Sequence, residues 1–439
     1  MIPLIMAISD SSRRTFLAVS AGAALSKGAS GAASGRLKAG IVGCGGRGTQ
    51  AVVNLLSGNP DVELVAMADL FEDHLESSLK QLRDPQFIAR NIERKGAFDV
   101  TPASPELVRS VQARVAVQPD RHFVGFDAYS RLINSDVDIV MLTTPPGYRP
   151  LHFEAAINAK KHVFTEKPVA TDPVGVRRFM AAAKKAAELK LTVMSGAQRR
   201  EHKQYVDTVR KIHDGAVGEI VALYSRYLSG PVFHARARDP KWGDMEWEHR
   251  NWYSFVWLCG DQIVEQHFHN IDFMNWVMGA HPVKVVASGG AAWRPRDELY
   301  GNIYDHMTSD FEYPNGVRLS SHCRQYPNGL YRDVSDLIVG TKGRSTGADM
   351  GGGGMNPYVQ EHIDMVKSIT GAGPYINQGL EVAESTMTCI MARESAYSGQ
   401  QITWDQIMAS QLDLQPKAFD YNLKMEPRAL PVPGVYKFV

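Results

Sequence analysis

The sequence predicts an α/β chain of two parts: a doubly wound parallel sheet, then an α+β part whose open sheet is mostly antiparallel. Three observations carry this prediction. Between residues 37 and 196 short apolar runs with strand character alternate with helical ones, the pattern of βαβ units. After residue 201 strand-like runs follow one another without helices between them, which reads as antiparallel pairing. The chain is 439 residues long, 44% hydrophobic and 22% charged, the size and make-up of two globular domains.

Residues 1–35 read as a sorting signal. Ser12-Arg13-Arg14-Thr15-Phe16-Leu17 leads into an apolar stretch, residues 17–25, and then a small-residue segment, residues 28–35. Charged, apolar, then small is the order of an export signal, and the paired arginines before Phe16 and Leu17 resemble a twin-arginine signal. Cleavage is expected near Ala32 or Ala33, and the expected location is the periplasm or the exterior. No apolar run beyond it reaches membrane-spanning length.

Residues 37–43 read as a buried strand and residues 49–56 as a helix. Between them Gly43, Gly45 and Gly48 form G-x-G-x-x-G, with Gly46 and Arg47 inside the loop. The first glycine permits a tight turn, the second lets a pyrophosphate reach the backbone, and the third lets helix and strand pack closely. A second strand, residues 63–68, ends at Asp69, placed to accept hydrogen bonds from ribose hydroxyls. This is the context of a Rossmann domain, residues 36–200. The charge of Asp69 favours NAD over NADP, while Arg47 pulls the other way, because an arginine in this loop can meet a phosphate. The twin-arginine route carries folded proteins, so the NAD is expected to be tightly bound.

Further strands are expected at residues 138–142, 162–165 and 192–196, with helices at 152–159 and 172–189. Residues 81–121 interrupt the pattern and read as a surface insertion with some helix. In the second part, residues 201–439, helices are expected at 206–214, 260–278, 358–370 and 379–398. Strands are expected at 220–227, 285–289, 307–313, 317–324 and 336–340. The aromatic stretch 242–257 reads as loop and pocket wall, and residues 351–354 as a flexible loop.

A net charge of +1 supplies no field for nucleic acid or an anionic membrane. The cysteines Cys44, Cys259, Cys323 and Cys389 lie far apart, show no metal-like spacing and read as buried thiols.

Four stretches together resemble the glucose–fructose oxidoreductase / inositol dehydrogenase / MocA family over nearly all of the chain beyond the signal. They are the glycine loop, the strand end Thr143-Thr144-Pro145-Pro146 with His152, the run from Lys161 to Pro168 ending in Glu166-Lys167-Pro168, and the segment from Glu265 to Trp276. The resemblance implies a Rossmann domain plus an open-faced sheet domain, with the active site between them. The implied chemistry is hydride transfer between a sugar carbon and the nicotinamide. Thr144, Pro145, His152, Glu166 and Lys167 would border the cofactor, with Lys167 beside a substrate hydroxyl. The family also implies a homo-oligomer, dimer or tetramer, paired through the exposed face of the second sheet.

In the family an aspartate is followed four residues later by a histidine. Glu265 and His269 fill those slots, and the i, i+4 spacing puts both on one helix face. His269 is then the general acid/base, since an imidazole titrates near working pH. Glu265 would orient it or bind a hydroxyl; it departs from the family aspartate by one methylene. His267, off that face, is a candidate for substrate or for packing. Arg199, Tyr205, Trp252 and His306 are further substrate candidates, with His249, Tyr304 and Asp305 as polar or aromatic groups of the same walls. Aromatic faces suit the apolar C–H surface of sugar rings. The spacing Glu265-x-His267-x-His269 is not H-E-x-x-H, and no metal is expected.

Three activities fit these residues. The first is an exported NAD-dependent oxidoreductase of a sugar or sugar derivative. The second is a glycosidase that uses NAD catalytically, through oxidation, elimination, hydration and reduction. The third is a sugar- or nucleotide-binding protein without catalysis. Retention of Lys167 and the absence of a Tyr-Pro-Thr-His segment favour the first.

Overall fold

Six short strands build the first sheet: β1 (Leu37–Val42), β2 (Val62–Asp69), β3 (His122–Val124), β4 (Ile139–Leu142), β5 (His162–Thr165) and β6 (Val193–Ser195). All pair in parallel, in the order β3-β2-β1-β4-β5-β6. The chain order reverses between β1 and β4, which opens a crevice at the carboxyl ends of the strands. Gly40 lies where a Cβ would stand 2.8 Å from the Leu132 side chain of helix Ala128–Ile133, so the helix packs closely over this glycine. In this computed structural model residues 35–94, 99–232, 236–295, 298–426 and 428–439 are described. The expected export signal lies outside them.

The second sheet has seven strands: β7 (Ile220–Ser229), β8 (Lys284–Gly290), β9 (His306–Glu312), β10 (Arg318–Gln325), β11 (Asp333–Gly340), β12 (Arg344–Ser345) and β13 (Ile402–Thr403). Their order is β12-β11-β7-β10-β9-β8-β13, antiparallel except for the parallel pair β7 and β10. Burial alternates along β9 and β10, so Met307, Phe311, Leu319 and Cys323 face inward while Asp310, Arg318 and His322 face out. This period of two is what a sheet covered on one face requires. Tyr224 on β7 and Val286 on β8 stand on the outer face, each about half exposed.

The helix Gly379–Ser398 packs against β8 and against the Rossmann helix Pro173–Glu188, and is buried almost all round. Its Arg393 is fully buried and donates to the carbonyls of Thr171 (2.6 Å) and Gly260 (3.1 Å). Residues 36–439 form one compact unit. After the last helix, Trp404–Ala409, the chain runs back over the Rossmann domain. Tyr421 donates to Leu70 O at 2.5 Å, and the rings of Phe419 and Tyr421 meet Phe126 at 5.7 and 4.8 Å.

Three expectations are corrected. Residues 81–121 are not a surface insertion: helices Pro85–Ile92 and Pro105–Ala113 deliver Ile88 and Val111, both fully buried, to the Rossmann core. The stretch 242–257 is largely helical, with Asp244–Arg250 as its longest piece. The helix expected over residues 260–278 is broken into Gln262–Glu265 and Phe268–Met278. All four cysteines are buried and unpaired. Among the described residues no helix is long and apolar enough to cross a membrane.

Candidate active site

The crevice between the two sheets is a cleft of about 870 Å³, within the size range of cofactor sites. Its floor at one end is the glycine turn. Gly43 takes a positive φ of 101° and donates to Ala68 O at 2.8 Å. A Cβ on Gly48 would stand 2.2 Å from Gly43 O, so helix Gly46–Gly58 reaches the strand only through glycine. Nothing lies within 4 Å of the position a Cβ would take on Gly45 or Gly46, and no side chain caps the first turn of the helix. Open space over uncapped amides is what a pyrophosphate needs.

Asp69 ends β2 at the cleft wall. Its two oxygens accept from Cys44 N (2.6 Å) and Phe71 N (2.9 Å), which fixes the carboxylate. A carboxylate has about four acceptor sites, so capacity remains for a ribose diol. Arg47 lines the cleft, but its Nε donates to Glu166 (2.5 Å), a second nitrogen reaches Glu361 (3.3 Å), and the guanidinium lies 4.8 Å over the Tyr358 ring. Nε and one terminal nitrogen are thus engaged, while the other terminal nitrogen has no hydrogen-bond partner. The bond to Glu166 makes that carboxylate a partner of Arg47 and draws the guanidinium toward it. Thr144, Pro145 and His152 also line this end. The His152 ring is stacked on Tyr129 at 4.1 Å, and burial lowers its pKa to about 3.

At the other end Lys167, Glu265 and His269 meet. Lys167 leaves the end of β5 and donates from Nζ to the main-chain oxygen of Glu265 at 2.6 Å, with the carboxylate Oε1 at 3.5 Å. His269 shares the cleft, and Arg199 donates to its carbonyl at 3.3 Å. Enclosure, then the positive charges of Lys167, Arg199 and Arg47, hold the His269 pKa well below its ordinary value. That direction favours the neutral imidazole. Trp252 lines the same wall.

Five sequence candidates, Tyr205, His267, Tyr304, Asp305 and His306, lie outside the cleft lining. His267 is fully buried, its Nε2 2.6 Å from Ser321 Oγ on β10, because the break at Gln266 turns it toward the sheet. Tyr205 packs edge-on against Phe273 at 5.2 Å and supports the Arg199 guanidinium at 5.0 Å. His306 stands on β9 beside Asp305 at 2.8 Å. Asp305 accepts the amides of Ala292 and Trp293, and Tyr304 donates to Pro431 O at 2.8 Å, so both hold loops.

Other residues at the site escaped the sequence reading. Tyr358 and Glu361 arrive from helix Pro357–Thr370, more than three hundred positions from Arg47, with no motif to announce them. Tyr227, Tyr253 and Gln266 line the same cleft as Lys167, Glu265 and His269. His249 lines the cleft too; its Nδ1 is 2.5 Å from Met245 O, an acceptor only, so Nε2 is free to accept from the Tyr148 hydroxyl at 2.5 Å. Burial lowers its pKa to about 4. Among the described residues no group of three His, Cys, Asp or Glu side chains could hold a metal.

Known proteins share this architecture. Residues 37–195 match the oxidoreductase family model with an NAD-binding Rossmann fold, and residues 206–346 match the GFO/IDH/MocA C-terminal domain. Inositol 2-dehydrogenase of Rhizobium meliloti is 25% identical over 309 residues, covering 69% of this chain and 73% of that protein. Inositol 2-dehydrogenase of Salmonella typhimurium is 25% identical over 243 residues, 55% of this chain and 54% of its own. The chain thus spans about half to two thirds of the length of several curated relatives it matches. Scyllo-inositol dehydrogenase from Lactobacillus casei, solved with NAD(H) and scyllo-inositol, superposes with a TM-score of 0.60 at 17% identity, covering 84% of this chain and 99% of that one. Aldose-aldose oxidoreductase from Caulobacter crescentus gives a TM-score of 0.57 at 17% identity, covering 84% and 99%. With both of its halves matched, and the parallel sheet, glycine turn and cleft in place, the chain belongs to the GFO/IDH/MocA oxidoreductase family.

Proposed function

We propose that the protein is an NAD-dependent oxidoreductase of a sugar or a cyclic sugar alcohol, exported with its cofactor in place. One observation carries the reading: Lys167, Glu265 and His269 converge on the cleft whose other end is the glycine turn and Asp69. When bound, NAD supplies the hydride acceptor at its nicotinamide. The glycine turn and helix Gly46–Gly58 would receive the pyrophosphate, and Asp69 the adenosine ribose. His269, neutral, accepts the proton of the substrate hydroxyl as the carbonyl forms. Lys167, fixed by Glu265, donates a hydrogen bond to that oxygen and holds the donor carbon in line. Trp252 offers an aromatic face to the ring.

The paired arginines Arg13 and Arg14 support export, and a resident NAD follows from it, since free NAD is scarce outside the cytoplasm. The exposed outer face of the second sheet, with Tyr224 and Val286 each about half exposed, supports a homo-oligomer, dimer or tetramer.

The test is direct. Nucleotide released from the purified protein is identified, and myo-inositol, scyllo-inositol, glucose and aryl glycosides are offered. NADH formation or reduction of a second sugar is expected, and Lys167→Ala and His269→Ala are each expected to lose about a hundredfold or more in kcat. Full activity in either variant removes the assignment. Aglycone release without net NADH replaces dehydrogenation by the redox glycosidase route.

A further inference from the structure

The departure of Glu265 from the family aspartate has a partner in the structure. Glu265 is buried at the cleft wall, and one carboxylate oxygen, Oε2, accepts from Gln266 Nε2 at 2.7 Å. The side-chain oxygen of Gln266 accepts in turn from the Tyr227 hydroxyl at 2.8 Å. Tyr227 stands on β7, paired with Cys323 on β10 and Val334 on β11, in the middle of the second sheet. All three side chains line the cleft.

Hydrogen-bond chemistry fixes the direction of this chain. A carboxylate only accepts, so Gln266 must turn its NH₂ to Glu265 and its oxygen to Tyr227, and Tyr227 must donate. Burial, then the charge of Glu265, raises the Tyr227 pKa to about 12, so the phenol keeps the proton it donates.

Adjacent side chains on a regular helix point about 100° apart and do not meet. Gln266 reaches Glu265 only because the helix breaks there: Gln262–Glu265 ends at Gln266, and Phe268–Met278 starts two residues on. The same break turns His267 away to Ser321 while His269 returns to the cleft. The remaining carboxylate oxygen, Oε1, faces Lys167 Nζ at 3.5 Å.

We infer that Gln266 and Tyr227 are positioning residues that clamp the longer Glu265 carboxylate so that its free oxygen holds Lys167 against the substrate. The chain Tyr227–Gln266–Glu265–Lys167 ties the catalytic lysine of the Rossmann half to the central strand of the second sheet. It rests on the roles of Lys167 and His269 given above.

A double-mutant cycle tests it, with kcat and KM measured on myo-inositol as the probe, and melting temperature and NAD content recorded for every variant. Gln266→Leu is expected to lower kcat about tenfold with little change in KM, the cost of freeing one hydrogen bond to a charged group. In a Glu265→Gln background the same substitution should cost nothing further, because Gln266 acts through the carboxylate. Gln266→Glu, which sets two carboxylates together, should be worse than Gln266→Leu. An equal loss in both backgrounds, or wild-type kcat in Gln266→Leu, overturns the clamp. A second arm needs neither substrate nor cofactor: the rate at which acetic anhydride acetylates Lys167, followed by peptide mass spectrometry. Gln266→Leu should raise that rate relative to the other lysines, and an unchanged rate overturns the clamp even where myo-inositol is not turned over. If Lys167→Ala or His269→Ala stays fully active, the catalytic assignment itself fails. If both are inert and no coupling appears, only the clamp fails.

Discussion

His267 and His269 stand two positions apart and end in different surroundings. His269 opens on the cleft, while His267 is sealed against Ser321 with one ring nitrogen, Nδ1, lacking a hydrogen-bond partner. Burial, then the charges of Arg199 and His322, lowers the His267 pKa to about 3. The unfolded chain takes up this proton below the ordinary value of 6.5, and the folded chain does not. The stability that His267 contributes is therefore full above that value and lost as pH falls toward about 3. Urea unfolding of the wild type and His267→Gln, followed from neutrality to about pH 4, should show the gap between them narrowing by roughly 2–3 kcal/mol. A gap independent of pH would place the ring in contact with solvent.

At the scale of elements, the site depends on joints between helices more than on the helices themselves. Asp261 opens helix Gln262–Glu265 from a positive φ of 78°, with its carboxylate accepting from Gln262 N at 2.5 Å and Tyr304 N at 2.9 Å. Arg393 holds the carbonyl of the preceding Gly260 and, with the same nitrogen, Thr171 O beyond the Lys167 strand end. It therefore fastens the Lys167 and Glu265 segments to the central helix Gly379–Ser398, while Glu394 balances its charge at 2.7 Å. Arg393→Leu should cost about 3–5 kcal/mol, because it strips a buried ion pair of one partner and leaves Glu394 uncompensated. Denaturant titration of Arg393→Leu beside the double variant Arg393→Leu/Glu394→Leu checks this, and the double variant should recover part of the loss.

Over the whole molecule, the two sheets are joined at the cleft and again by the returning tail. Leu414 N donates to Asp172 Oδ2 at 3.2 Å, Tyr421 to Leu70 O at 2.5 Å, and Met425 N to Asp244 Oδ2 at 3.1 Å. The tail thereby clasps residues on both sides of the nucleotide end, since Leu70, Phe126 and Tyr148 line the cleft and touch Phe419 or Tyr421. Removing residues 413–439 should cost about 3–5 kcal/mol through lost burial of these rings and speed the loss of bound NAD. Thermal melting and the nucleotide remaining after dialysis measure both, and unchanged values would make the tail a passive appendage.

The sequence by itself determined what local spacing can carry. The glycine turn, Asp69 at the strand end, Lys167 after β5 and the alternation of strand types were all legible, because each depends on neighbours within a few residues. The helix Gly379–Ser398 was legible to its ends for the same reason. Tertiary structure decided the rest. At the break Gln266 meets Tyr227 and His267 meets Ser321, side chains brought by two distant strands, so a continuous helix was the reading that periodicity allowed. The employment of Arg47 was settled by Glu361, and the placing of Tyr205, His267 and His306 away from the cleft by which face of each element met another. A residue type and its spacing state which chemistry is available; only packing against distant chain fixes where the side chain points.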